Sequence, residues 1–467
     1  MSDDDTSDQP VAPTDSDAGT DADARPDGGV ERYEHSRLYR WLDARLDLDD
    51  EAFGKAFPDD RYGSFLLGEV ALFSFVLLAA TGTFLGLMYT PVTSEVVYQG
   101  QVAQYAGQSV PGAFASVLRI SYDVRFGMFI RMAHHWAAYL FLAAIGLHMF
   151  RVFFTGAYRN PREPNWLVGS GLLLLALGEG YFGYALPYDD FSQTATTIGF
   201  QMTSSIPVVG TTLKNLIFGG NFPADATYIL PRFFFYHVFL LPAVMMGLIG
   251  LHMFILLRQK HTEHPESSRD AESPVGPDPD DESVVVGMPM WPNQAAMSVV
   301  VFLFTTSIVA FLAALFPVQR VAIIGPASPL TQPSNVRPDW FFMWVFGALN
   351  MTPNVFFGYG RFIGGVLFPT IVIGVMAMWV FIDRHDEPVH FTANPLDRPM
   401  PTAVGVAAIS MVIVLSIAGM NSFIAETLGM SNAAIYPYLL AMTVLVPPIE
   451  GLIVYYALRR RQSRLEE

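Results

Sequence analysis

Eight apolar stretches, each long enough to cross a bilayer, constrain this chain more than any other feature. They run over about 65–89, 132–155, 166–186, 233–257, 295–316, 362–382, 402–420 and 436–457. A hydrocarbon core of about 30 Å takes about 20 residues of helix, and backbone polar groups stay paired there only in helices or closed barrels. Continuous apolar runs of this length predict helices. The expected fold class is an all-α membrane protein of about eight transmembrane helices, a four-helix N-terminal bundle followed by a four-helix C-terminal block. With 52% hydrophobic and 15% charged residues, the composition excludes a soluble globular chain.

Charge lies outside these stretches. Residues 1–34 hold eleven acids against Arg25 and Arg32, so 1–36 reads as a disordered acidic tail. The hydrophilic N-terminus offers no cleavable signal peptide. Leu38–Phe53 has helical periodicity and reads as an amphipathic helix on the membrane surface, the start of a first domain over 37–257. Residues 258–292 form a polar Asp/Pro/Ser-rich linker, and 293–460 a second domain. A net charge of −16 with only three lysines is the balance of a protein adapted to high salt, and it argues against a nucleic-acid partner. Placing both termini and the loops after spans two, four and six on one side collects 19 of the 27 Lys and Arg. That side is therefore expected to be cytoplasmic, in a multi-pass protein of the cell membrane.

Within the first block, His134 and His148 share one apolar span, and His237 and His252 another. Intramembrane ionisable residues are costly and usually functional. At about 100° and 1.5 Å per residue, the 14-residue step falls about 40° short of four turns and the 15-residue step overshoots by about 60°. Both pairs thus share a helix face, about 21 Å apart along the axis, as two stacked metal centres require. His135, the rival to His134, lies about 140° off the face of His148. The chain has no cysteine, which excludes disulfides, thiolate sites and thioether-linked haem and leaves histidine as the strong nitrogen ligand.

Glycines repeat the same step. Gly68 and Gly82 in span one, and Gly169 and Gly183 in span three, are each 14 residues apart, and glycine lets a flat macrocycle approach a helix backbone. Because these spans run opposite to spans two and four, Gly68 and Gly169 belong at the inner level with His148 and His252. Gly82 and Gly183 belong at the outer level with His134 and His237. Small-residue helix packing is the ordinary use of such glycines. Arg131, Arg151 and Arg232 flank the histidines and need anionic partners at membrane depth, which haem propionates provide.

These residues carry a family resemblance. R-M-A-H-H…H-M-F-R at 131–151, Y-R-N-P-R-E-P-N-W at 158–166, G-Y-A-L-P-Y at 183–188 and P-R-F-F-F-Y-H at 231–237 make the chain similar to cytochrome b of the quinol-oxidising cytochrome bc complexes, over about residues 37–457. The resemblance implies two non-covalent b-type haems, the outer held by His134 and His237 and the inner by His148 and His252. It aligns Pro338-Asp339-Trp340-Phe341 with the family's P-E-W-Y signature at the outer quinol-oxidation site. There Asp339 would take a proton and swing toward an exit path, with a shorter reach than Glu, while Phe341 lacks the family's hydroxyl. Tyr184 and Pro187 would line the same pocket. Tyr188 stands for the family's Trp and is followed by Asp189 and Asp190.

The function implied is that of a proton-translocating quinol oxidoreductase subunit. Its expected partners are a Rieske Fe–S protein, a c-type cytochrome or blue-copper acceptor and a second copy of the chain, with menaquinone as the expected quinone. Arg258, His261 and Asp386 are candidates for an inner quinone site; His35, His264, His385 and His390 read as surface residues. Two other readings stay open: a di-haem anchor for a dedicated reductase such as nitrate reductase, and a histidine-lined transporter.

Overall fold

The structure is a computed structural model that describes residues 56–58, 66–220, 222, 225–259, 287–289, 292, 294–328, 338–353, 358–385, 389 and 391–466. The expected surface helix at 38–53, most of the 258–292 linker, and the side chains of His35, Arg258, His261, His264, Asp386 and His390 lie outside them. Eight helices among the described residues are long and apolar enough to span a membrane: Leu67–Met88, Gly127–Thr155, Glu163–Ala185, Ile229–Leu257, Ala295–Leu315, Gly360–Phe381, Pro399–Gly419 and Asn432–Leu465. The chain is a helical membrane protein. Span one, at 22 residues, is about 33 Å long and matches the hydrocarbon thickness.

Helix ends differ from the sequence expectation where charge sits inside a helix. Span two begins at Gly127 and span four at Ile229, ahead of Arg131 and Arg232, and span eight runs on through the basic segment Arg459–Arg464. Hydropathy alone ends a span at its charged flank, whereas backbone hydrogen bonding carries the helix into water.

The core of the first block lies on span two. Phe141, Leu142, Ile145 and Met149 pack with Ala71 of span one, Trp166 and Ala176 of span three and Met245 of span four. Span six joins this core through Trp379 and Val380. It is fastened there by the Trp166 indole, which donates to the carbonyls of Met376 and Ala377 at 3.1 Å each. In the second block, Met343–Met351 crosses span seven with no room for side chains. A Cβ on Gly347 would meet the Leu415 carbonyl, and one on Gly419 the Met343 carbonyl, the small-residue crossing that lets helices in lipid approach closely.

The end of the bundle that carries the loops after spans one and three is capped by elements that hydropathy did not reveal. A hairpin pairs Glu95–Val97 with Ser109–Pro111, Val96 opposite Val110. Between spans three and four lie helices Asp190–Ser204 and Gly210–Phe218. The first is N-capped by Asp189, which accepts from the Ser192 amide at 2.8 Å, satisfying an amide that would otherwise be orphaned. Toward the other end, Ala56–Pro58 pairs antiparallel with Gly287–Pro289.

Candidate functional site

The glycines and histidines meet pair by pair, at two levels. A Cβ on Gly68 would lie 3.5 Å from Cε1 of His148, and one on Gly169 3.5 Å from Cε1 of His252. At the other level a Cβ on Gly82 would lie 3.1 Å from Cε1 of His134, and one on Gly183 2.5 Å from Cε1 of His237. At Gly82 and Gly183 a side chain would press on the ring, whereas at Gly68 and Gly169 it would make ordinary van der Waals contact. His134 and His237 have ring centres 6.0 Å apart at 84°. Thr81, one residue before Gly82, gives its hydroxyl proton to the Leu77 carbonyl at 2.6 Å and accepts from Nδ1 of His134 at 3.0 Å. Nδ1 of His237 lies 2.5 Å from a carboxylate oxygen of Glu179. Nδ1 of His148 is buried without a hydrogen-bond partner. His135 is half-buried with its Nε2 enclosed, and it stacks edge-on against Tyr139 at 4.6 Å, with no glycine of the two pairs against it.

The unequal histidine steps are reconciled by a helical defect. Tyr236–Leu240 forms one π-helical turn, closed by the Leu241 amide on the Tyr236 carbonyl. Pro242 follows and has no N–H to offer the carbonyl four residues back. A π-turn takes up one extra residue. The 15-residue step thereby acts as a 14-residue one, and the overshoot of about 60° on an ideal helix becomes the same shortfall of about 40° seen in span two.

The arginines divide. Arg131 donates to the Gln319 carbonyl at 3.1 Å and keeps a buried Nε without a partner. Arg151 sits over the Phe391 ring, 5.4 Å from its centre. Arg232 is drawn elsewhere: it donates to the carbonyls of Asn215 and Leu216 at 3.0 and 2.6 Å, closing the C-terminus of the helix Gly210–Phe218.

Beside the outer histidines, Pro338-Asp339 leads into a 3₁₀ turn Trp340–Phe342 and then the helix Met343–Met351. Tyr139 of span two donates to Oδ1 of Asp339 at 2.6 Å. Burial pushes the Asp339 carboxyl above its ordinary range, and the Tyr139 hydrogen bond partly offsets this. Phe341 is buried against the backbone of Gly180, where a Cβ would come within 3.0 Å of its ring. Trp340 is 50% exposed, Pro187 is buried and Tyr184 is half-buried.

At the opposite end, a buried clamp joins the loop after span two to the ends of spans six and seven. Arg398 donates to Asp383 at 2.5 Å and to the Tyr158 hydroxyl at 2.6 Å, and the Trp379 indole donates to Tyr158 at 2.9 Å. His385, half exposed, lies 3.6 Å from the same carboxylate. Nearby in sequence to Gly68, Glu69 accepts from Gln294 and Ser298 at 2.6 and 3.0 Å, with its second oxygen buried and unpartnered.

Four of these residues escaped the sequence reading. Glu69 and Glu179 carried a usable signal, since an acid inside an apolar span is seldom idle. Tyr139 carried a weaker one, a phenol whose hydroxyl needs a partner when buried. Asp189 is an acid followed by Asp190 just past a span end, and it looks like ordinary loop polarity until its burial is known.

The family models described as cytochrome b(N-terminal)/b6/petB and cytochrome b(C-terminal)/b6/petD match residues 139–326 and 326–439. The chain is 36% identical over 412 residues to the cytochrome bc1 complex cytochrome b subunit of Mycobacterium tuberculosis H37Rv, covering 86% of this chain and 72% of that one. It is 35% identical over 414 residues to the subunit of the same name from Streptomyces coelicolor, covering 85% and 73%. A solved structure described as a hyperthermophilic respiratory Complex III shares the fold, with a TM-score of 0.63 over 89% of this chain and 99% of that one, at 19% identity. On the extent and identity of these matches, the chain belongs to the cytochrome b family.

Proposed function

We propose that this chain is the cytochrome b subunit of a bc1-type quinol-oxidising complex, with quinol oxidised in the outer pocket at Asp339 and two b-type haems stacked across the bilayer. The observation that carries the reading is the pairing of four glycines with four histidines at two levels, with the half-buried carboxylate of Asp339 held by Tyr139 beside the outer one. The residues suit haem. Gly82 and Gly183 leave free the space against which the His134 and His237 rings lie, where a Cβ would crowd them, and the unpartnered Nε of Arg131 calls for an anion. The His134 and His237 rings, with centres 6.0 Å apart, are close enough that both would hold one metal between them.

In this reading His134 and His237 hold the outer haem, His148 and His252 the inner one, and Arg131 and Arg151 face propionates. Such haems would supply one-electron transfer between the two levels. The chain's own groups handle the proton. Asp339 accepts it from the quinol hydroxyl, and Tyr139 holds the receiving carboxylate in place. Tyr184, Pro187 and Trp340 wall the pocket. A carboxyl raised by burial is a better proton acceptor than a solvated one. The partners proposed are a Rieske Fe–S protein, a c-type cytochrome or blue-copper acceptor and a second copy of the chain. The complex would sit in the cell membrane with both termini cytoplasmic, using menaquinone.

A redox titration of the native complex tests this directly. Two b-type components are expected, and Asp339→Asn should retain both while quinol oxidation falls about a hundredfold. A purified complex without haem absorption would overturn the reading.

A further inference from the structure

Glu179 sits within span three, four residues before Gly183. That spacing puts both on one helix face, a turn apart, so the carboxylate reaches the histidine ring that lies on Gly183. Nδ1–H of His237 donates to it at 2.5 Å, with the Glu179 carbonyl 3.2 Å from the same nitrogen. The side chains of His237 and Glu179 are 21% and 14% exposed. A proton on Nδ1 leaves Nε2 as the nitrogen free to ligate. His134 and His148 lack such a partner. Nδ1 of His134 has the neutral Thr81 hydroxyl at 3.0 Å, and Nδ1 of His148 is buried with no partner. Satisfying the His237 N–H does not call for an acid, because the Glu179 carbonyl is already in reach and a hydroxyl serves His134. A carboxylate at membrane depth is costly. What it adds beyond a neutral acceptor is negative charge held against the ring.

We propose that Glu179 is a positioning residue that sets the reduction potential at the outer level, holding the His237 ring by its Nδ1–H and drawing that potential down. This assignment rests on the haem-binding function proposed above. A carboxylate partner fixes the tautomer and direction of a ligating imidazole and raises its basicity. Its charge also favours the more positive, oxidised state of a metal on the far side of the ring. Both effects make the outer centre harder to reduce. The proton stays on Nδ1 throughout, so no bond is made or broken at Glu179. The inner level, about four helical turns away, changes little.

The test is a redox titration of membranes carrying the whole complex, comparing wild type with Glu179→Gln and Glu179→Asp. Glutamine keeps the shape and offers Nδ1 an amide oxygen without the charge. Glu179→Gln should retain both b-type components and raise the outer midpoint. An equilibrium change of about tenfold is about 59 mV for one electron. Glu179→Asp keeps the charge and should lie nearer wild type, with the inner midpoint steady in both variants. An outer midpoint unchanged or lowered in Glu179→Gln would overturn the assignment and leave the two-haem reading standing. A wild-type complex without haem absorption would overturn both. Should Glu179→Gln lose the outer component altogether, the wild-type complex decides. With its glutamates carrying ¹³C carboxyls, a carboxylate stretch should shift in the infrared difference spectrum as the outer component is reduced. A spectrum in which no such band follows that component would overturn the assignment.

Discussion

Tyr139 donates a 2.6 Å hydrogen bond to Asp339, tying the outer loop to the helix that carries His134 and His148. This contact sets the protonation of the carboxylate as well as its position. A base accepts a proton only when ionised, so turnover rises with pH through its pKa. Burial raises that pKa, and the Tyr139 donor, which favours the ionised form, lowers it. Tyr139→Phe should therefore move the acid limb of the quinol-oxidation profile to higher pH. A hydrogen bond to a charged group contributes about 1.5–3 kcal/mol, enough for the displacement to be resolved in a pH–rate profile. An acid limb that stays in place would separate that limb from Asp339.

The two levels make a second prediction. Each histidine pair rests on its own pair of glycines, with no residue shared between levels. His148→Ala, or Gly68→Val with its branched side chain against the His148 ring, should remove the inner b-type component from a redox titration and leave the outer one in place. His134→Ala or Gly82→Val should do the reverse. Loss of both components from either single change would argue against independent levels.

A third prediction concerns stability. Arg398 and Asp383 have side chains 5% and 19% exposed, and removing one partner of such a pair strands a buried charge at a cost of about 3–5 kcal/mol. Asp383→Ala should lower the thermal midpoint accordingly without moving the haem bands. Burial alone would raise the Asp383 carboxyl, but the Tyr158 hydroxyl and the Arg398 guanidinium outweigh it and hold the carboxyl below its ordinary value. A group depressed in the folded state stabilises above its unfolded pKa, about 3.9 for Asp. That contribution is lost as pH falls through the lower folded value. The advantage of wild type over Asp383→Ala should thus be full near neutrality and shrink below about pH 4, as thermal melts across that range would record.

Much of this fold was legible because bilayer thickness and helix geometry leave few choices. Eight long apolar runs gave eight helices, and a repeat of 14 residues joins Gly68, Gly82, Gly169 and Gly183 to particular histidines in the sequence itself. What stayed hidden depends on tertiary contact. The polar helix Asp190–Ser204 has no membrane signature. Arg232 sits in sequence like a propionate partner, yet it closes a helix end formed by residues 215 and 216. The partner of Asp339 is 200 residues away in the chain, beyond the reach of any local pattern. Ideal-helix arithmetic also left a mismatch between the two histidine steps that only a local defect could resolve.

That defect gives the last prediction. The π-turn at Tyr236–Leu240 lies immediately before Pro242, whose missing N–H leaves the Val238 carbonyl without its usual helical donor. Alanine at this position restores the donor and favours regular helix by about 3 kcal/mol. If the turn then closes as α-helix, the extra residue is no longer absorbed, and His237 rotates by about 100° relative to His252, off the surface left by Gly183. Pro242→Ala should therefore disturb the outer b-type component selectively, seen as a shifted or missing potential beside an intact inner one. Deleting Leu241 in the same background shortens the step to the 14 residues of span two and should restore the outer component. An outer component unchanged in Pro242→Ala would mean that packing of the His237 ring on Gly183, rather than the proline, holds the π-turn open.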